Sequence, residues 1–323
     1  MLLFGYAEGL HADFNDGLKS YKKGDYKVAF KEWKISSSED NARSQYFLGW
    51  LYYNGKGVIR DYNLAMKWYL KSAKQGYVSA QYSLGFIYDN GKIVPEDDKQ
   101  AVEWYLKASE QGHAKAQSSL GLLYYFGDVI TKDHKQAFKW FHKAAKQNHI
   151  DAQFALALMY DNGDWVLEDN KKAVEWYLKS ANQGFSEAQY NLGVMYDNGA
   201  EDLPEDDKQA VEWYLKASEQ GHAEAQLNLA VMYRNGTGAS RDIEKARFWM
   251  EKSKDSGNKE AEKAWNSWKD SPKGTTKNQV SAEANKFAER WVLIFFILIF
   301  FISIFLLYKF IRKITLIILK NKD

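Results

Sequence analysis

Residues 80–112 read AQYSLGFIYDNGKIVPEDDKQAVEWYLKASEQG, and the spacing inside this stretch decides the fold. Ala80, Leu84 and Tyr88 recur at i, i+4 and i+8, which puts them on one stripe of a helix, with Gly85 beside the stripe where a second helix can approach closely. The helix is expected to end at Gly91, because glycine takes the left-handed conformation of a helix C-terminus and Asp89-Asn90 before it favours a turn. After a short loop, Ala101, Trp104, Tyr105 and Ala108 at i, i+3, i+4 and i+7 mark a second helix. Glu96, Asp97 and Asp98 suit its positive N-terminal end, and Gly112 suits its exit.

The same helix pair recurs along the chain. Trp-aromatic pairs stand at Trp68-Tyr69, Trp104-Tyr105, Trp140-Phe141, Trp176-Tyr177 and Trp213-Tyr214, with Trp249-Met250 as the sixth, in steps of 36, 36, 36, 37 and 36. The single extra residue falls between Gly199 and Trp213, in a loop, where a repeat array tolerates it. Leu48-Gly49, Leu84-Gly85, Leu120-Gly121, Leu156-Ala157, Leu192-Gly193 and Leu229-Ala230 keep the beat, as do Tyr52, Tyr88, Tyr124, Tyr160, Tyr196 and Tyr233. One hairpin cannot bury both of its apolar faces, so the copies must stack, and the chain is expected to be an all-α, α/α superhelical solenoid. The repeat-phase tryptophans are then core. Only three prolines interrupt 323 residues, which suits a mostly helical chain.

The pattern A-Q-x-x-L-G-x-x-Y-x-x-G followed by D-x-x-x-A-x-x-W-Y-x-K-A/S-A/S-x-Q-G resembles the Sel1-like repeat, a relative of the tetratricopeptide repeat. Ala188, Gln189, Leu192, Gly193, Tyr196 and Gly199 carry its first half, and Asp97, Ala101, Trp104, Tyr105, Lys107 and Gly112 its second. Six such repeats are expected over residues 42–262, after a divergent capping helix pair over 13–41 marked by Gly17, Tyr21, Ala29 and Trp33. The resemblance implies a right-handed superhelix and a role as adaptor or scaffold, often at membranes or in the bacterial envelope. Cysteine-rich relatives are associated with β-lactam hydrolysis, but this chain has no cysteine. Residues 95–114 and 204–223 share the string PEDDKQAVEWYLKASEQGHA. Identity at exposed as well as buried positions indicates copying of a repeat block, which lengthens a binding surface more usefully than it duplicates an active site.

Composition supports a non-catalytic reading. Lys and Arg number 44 against 42 Asp and Glu, so a net charge of +2 argues against a nucleic-acid partner. The absence of cysteine excludes disulfides, thiolate metal sites and a cysteine nucleophile. The six histidines form no ligand spacing, and no phosphate loop, dinucleotide fingerprint or serine-nucleophile motif occurs. The acidic triplets are accounted for as helix starts. No catalytic residue, cofactor or metal is therefore expected, and a small-molecule ligand is not favoured.

A protein-binding face follows from laying the first helix of each repeat on its tetratricopeptide relative. The inner, concave side is expected to carry Tyr46, Tyr82, Ser118, Phe154, Tyr190 and Leu227, then Trp50, Phe86, Leu122, Leu158, Val194 and Val231. Of these, Tyr46, Trp50, Tyr82, Phe86, Phe154 and Tyr190 are the candidate contacts for a peptide or helix of a partner protein. These residues can equally pad adjacent helices. The alternative function is a cell-envelope glycan-binding factor or hydrolase using the same trough for sugar rings.

Beyond the repeats, residues 263–290 read as a polar linker around Pro272 and Gly274. Residues 291–308 then run without a charge and contain 15 Leu, Ile, Phe or Val residues. At 1.5 Å per residue this run is about 27 Å long, with an insertion gain of roughly 5 to 9 kcal/mol, so a single transmembrane helix is expected. Trp291 and Tyr308 would sit at its edges, and the basic residues of 309–323 suit an amphipathic tail on the lipid surface. Residues 1–12 resemble the end of a truncated signal peptide. The resulting expectation is a single-pass membrane protein with an exported, periplasmic or lumenal repeat domain; a cytosolic, tail-anchored domain is the alternative.

Overall fold

The computed structural model describes residues 13–91, 93–127, 130–200 and 203–268. Among these residues the chain forms fifteen α-helices and no named strand. Helices α1 (Phe14–Lys22) and α2 (Tyr26–Ser38) come first. Six pairs follow, the first two being α3 (Ala42–Asn54) with α4 (Tyr62–Lys74) and α5 (Val78–Asn90) with α6 (Asp98–Glu110). Next come α7 (Ala114–Phe126) with α8 (His134–Ala145) and α9 (Ile150–Asp161) with α10 (Asn170–Ala181). The last two are α11 (Ser186–Asn198) with α12 (Asp207–Glu219) and α13 (Ala223–Asn235) with α14 (Ile243–Asp255). Helix α15 (Lys259–Trp268) closes the series and runs into the stretch read as linker. The chain divides into two compact units, Met1–Ala217 and Ser218–Asp323.

Each hairpin has the same local logic. The second helix is capped by an aspartate whose carboxylate accepts a backbone N–H three residues on, as Asp97 does from Gln100 at 3.1 Å. The backbone N–H of the same aspartate donates back to the carbonyl of the repeat tyrosine in the first helix: Asp97 to Tyr88 at 3.1 Å, Asp133 to Tyr124 at 2.9 Å, Asp169 to Tyr160 at 3.0 Å. This bond closes the loop and explains why aspartate and tyrosine hold fixed phase. Gly91 ends α5 at φ +62°, in the left-handed region that favours glycine.

Packing inside a hairpin is set by the Leu-Gly pair. A methyl group at Gly85 would lie 2.5 Å from the ring of Tyr105, and at Gly193 it would lie 2.4 Å from Tyr214. The tyrosine ring therefore rests on backbone, which is the close approach the sequence suggested. Tyr105, Tyr177 and Tyr214 are buried to the hydroxyl, which donates to Asp89 at 3.0 Å, Asp161 at 3.0 Å and Asp197 at 3.2 Å respectively. In the first and third pairs a tyrosine, Tyr53 or Tyr125, stands where the aspartate would be, opposite Tyr69 in the one and Phe141, which has no hydroxyl, in the other. The tryptophans divide. Trp104, Trp140 and Trp213 are buried, whereas Trp68, Trp176 and Trp249 are half-buried. Each of the first five lies under the lysine three residues on, with Lys107 Nζ 4.2 Å from the Trp104 ring centre and Lys179 Nζ 3.7 Å from that of Trp176. The tryptophans thus seal the outer edge of the core as well as filling it.

Repeats are joined by glutamine. The side-chain amides of Gln45, Gln81, Gln117, Gln153, Gln189 and Gln226 each donate to a carbonyl at the C-terminal end of the preceding repeat's second helix, at 3.0 to 3.4 Å. Four of them also accept from the glutamine ending the second helix of their own repeat: Gln75 on Gln45, Gln111 on Gln81, Gln147 on Gln117 and Gln183 on Gln153, at 2.7 to 2.9 Å. A buried amide that both donates and accepts ties helix ends that otherwise carry unsatisfied carbonyls. In the second unit, Leu227, Ala230, Met250, Ala261 and Ala264 form the core.

The membrane assignment is corrected. Among the described residues no helix is long and apolar enough to cross a bilayer. The longest have 13 residues, about 20 Å against the ~30 Å of a hydrocarbon core, and they spend their apolar residues on packing faces while lysines and glutamates face outward. The expectations for residues 1–12, 291–308 and 309–323 all fall outside the described residues. Neither single-pass anchoring nor an exported or tail-anchored repeat domain has structural support.

Candidate functional site

The candidate contacts lie on the first helices of the first unit, in two rows. The row two residues before each Leu-Gly pair is half-buried, and its rings pack on the tyrosine of the same hairpin. Ring centres are 5.6 Å apart for Tyr46 and Tyr69, 5.9 Å for Tyr82 and Tyr105, 5.7 Å for Phe154 and Tyr177, and 6.0 Å for Tyr190 and Tyr214. These side chains cover the hairpin core with one face and turn the other outward. Ser118 and Leu227 from the same row are buried and line no surface.

The row just after each Leu-Gly pair is more accessible. Phe86 and Leu122 are both 43% exposed, while Leu158 and Val194 are half-buried. Trp50 is held edge-on to Tyr21 of the capping pair, at 5.3 Å between ring centres. Phe86 also packs on Tyr82, at 6.5 Å between ring centres, so the two rows meet in an apolar strip on α5, and Leu122 is exposed at the equivalent position of α7. A small hollow lies beside it, lined by Tyr53, Phe86, Ile87, Asn90 and Ile93. Phe126, at the C-terminal end of α7, is 61% exposed and extends the apolar surface beyond the sequence-derived set. It stands where the other repeats carry asparagine, as at Asn54, Asn90 and Asn162.

The turns entering the first helices form a flank to this strip. Tyr77, His113, His149 and Phe185 occupy equivalent N-cap positions. His113 stacks on Tyr82 at 4.7 Å, Tyr77 packs on Tyr46 at 5.2 Å, and Phe185 on Phe154 at 5.1 Å. His113 Nδ1 accepts the Ala116 N–H at 3.2 Å, a role open only to the neutral ring. Burial, with Lys115 and His149 nearby, holds the His113 pKa below the ordinary 6.5, and burial does the same at His149 against a smaller opposing effect of Asp151. Burial raises the phenols of Tyr46 and Tyr82. It also raises the carboxyls of Asp89, Asp161 and Asp197, against the hydrogen bond each accepts from its tyrosine.

Such a surface offers apolar area and rings held by packing, which suits recognition of a protein segment. Among the described residues no group of three or more His, Asp or Glu side chains converges as a metal site. The raised carboxyls belong to the tyrosine pairs inside each hairpin rather than to a cleft, so their shifts have a structural cause. The glutamine joints were not foreseen as a device: a polar residue next to alanine on a helix reads as surface, and only the stacked repeats reveal the carbonyl it meets.

The Sel1 repeat family matches residues 42–77, 78–113, 114–149, 150–185, 186–222 and 223–258. Among solved structures, the chain is 36% identical to a protective antigen of uropathogenic Escherichia coli strains displaying an SLR fold, with a TM-score of 0.71 over 73% of this chain and 50% of that one. The chain thus spans half the length of that antigen. It is 33% identical to a Sel1 repeat protein from Oxalobacter formigenes, with a TM-score of 0.66 over 74% of this chain and 96% of that one. No curated protein matches the chain.

Proposed function

The chain belongs to the Sel1 repeat family, and from that premise we propose that it is a non-catalytic scaffold that binds protein partners through the first-helix face of its repeats. The observation that carries this reading is that Phe86 and Leu122, at equivalent positions on successive first helices, remain 43% exposed although every neighbouring helix has already packed. Tyr46, Tyr82, Phe154 and Tyr190 serve as a rigid floor, because each is clamped by a hairpin tyrosine and loses little freedom on binding. Phe86 and Leu122 are the contacts that a partner reaches directly. An amphipathic helix or extended segment placing apolar residues every turn fits such a strip.

Photocrosslinking tests the reading. A photoreactive residue at position 86 or 122 should capture the same partner from native extracts, whereas one at position 99 or 135, on the outer side of α6 or α8, should not. Excess unlabelled protein should abolish capture, and the Phe86→Ala, Leu122→Ala double variant should fail to compete. Equal capture from both sides, or full competition by the double variant, rejects this face as the binding surface.

A further inference from the structure

The second position of each first helix points to the same side as the apolar strip, being three residues before one row and seven before the other. It is occupied by Arg43, Ser79 and Lys115 in the first three repeats, then by Asp151 and Glu187 in the next two. The four charged residues are all exposed. Asp and Glu at this position are expected, since an acidic side chain in the first turn complements the helix dipole. Arg43 and Lys115 are not, because a cation there opposes the same dipole, so helix stability does not account for them. Arg43 lies over the Phe14 ring at 4.0 Å, which fixes its position while leaving its charge in place. At the border between the two signs, Asp151 is 3.9 Å from His149 Nδ1, and Asp151 adds to the upward shift of the Tyr82 phenol in the strip. Asp151 is therefore close enough to the strip for its charge to be felt there.

Resting on the proposed binding face, we infer that its partner segment has divided charge: acidic residues where it crosses α3 to α7, basic residues where it crosses α9 to α11, and an apolar middle over Phe86, Leu122 and Leu158. The apolar strip supplies affinity, and the sign change fixes the direction in which the segment lies, since the reverse direction sets like charges against each other.

Two synthetic peptides of equal composition test this on the full chain. Both carry a leucine and phenylalanine centre; one has glutamates at one end and lysines at the other, and its comparator has them interspersed. The divided peptide should bind about five- to tenfold more tightly at low salt, the advantage fading as salt screens exposed charges. A photoreactive group at its acidic end should label α3 to α7, and at its basic end α9 to α11. In the Lys115→Glu, Asp151→Lys variant this preference should weaken or invert. Equal affinity for both peptides, or labelling that ignores the end used, overturns the inference. If the peptides bind equally and Phe86→Ala still weakens both, only the charge assignment fails; if neither binds, the face itself is rejected.

Discussion

Replacing Gln81 by leucine keeps the side-chain bulk and removes the amide that ties one repeat to the next. Gln81 is 5% exposed, donates to the Ala73 carbonyl at 3.2 Å and accepts from Gln111 at 2.7 Å. The Ala73 carbonyl keeps a second bond, from the Gly76 N–H at 3.0 Å, and the exposed Gln111 amide can turn to water. No buried group is stranded, so the cost is that of two ordinary hydrogen bonds, about 2 kcal/mol in all. Gln111→Ala removes the outer bond and a long, exposed one of 3.5 Å to the Lys107 carbonyl, and should cost about 0.5 to 1 kcal/mol. The two changes share one bond, so a double-mutant cycle should give a coupling of about 0.5 to 1 kcal/mol. Urea unfolding followed by helical circular dichroism gives the global values. Because the chain contains two compact units, amide exchange in α4 to α6 should be read beside it to localise the loss. A cost for Gln81→Leu no greater than for Gln111→Ala, or a coupling near zero, would refute the view that glutamines join the repeats.

Three further outcomes follow from the geometry. His113, His142 and His149 all have pKa values held below 6.5, mainly by burial. The unfolded chain therefore binds more protons in that range, and stability should be full above pH 6.5 and fall as pH drops through it; His113→Asn, which retains a capping side chain, should flatten the decline measured by thermal unfolding. Gly85→Ala sets a methyl 2.5 Å from the Tyr105 ring and should cost about 1 to 3 kcal/mol in urea unfolding, with a cost under about 0.5 kcal/mol ruling out the close-packing account. Asp89→Asn retains an acceptor for the Tyr105 hydroxyl while removing a carboxyl whose pKa burial raises, so melting at pH 7 should be unchanged or higher; a clear drop would mean that the charge itself is needed.

The hairpins were legible because their determinants are local. The i, i+4 stripe, the Asp cap and Gly91 act within one helix or its adjoining turn, and six copies raise each signal above chance. The contacts between repeats were not legible. Gln81 meets Ala73 and Gln111 only after stacking, and the bond from Tyr105 to Asp89 joins two helices across a loop that sequence spacing alone does not close. The two rows of the candidate face differ in exposure. Tyr82 and Phe154 each spend one side on a hairpin tyrosine, while Phe86 and Leu122 do not, a distinction of helix rotation that sequence spacing alone blurs. The apolar run at 291–308 satisfied a length and hydropathy rule, but the described helices give it no counterpart.

The central claim is that Phe86 and Leu122 serve binding rather than folding. Isothermal titration of the full chain with a peptide selected against it, for the wild type and for the Phe86→Ala, Leu122→Ala double variant, tests this most directly when paired with thermal unfolding of both. Two exposed side chains removed from a binding centre should cost at least about tenfold in affinity while leaving the melting temperature within about 2 °C. Unchanged affinity, or a variant that loses its cooperative melt, would contradict the claim and return both residues to the structural core.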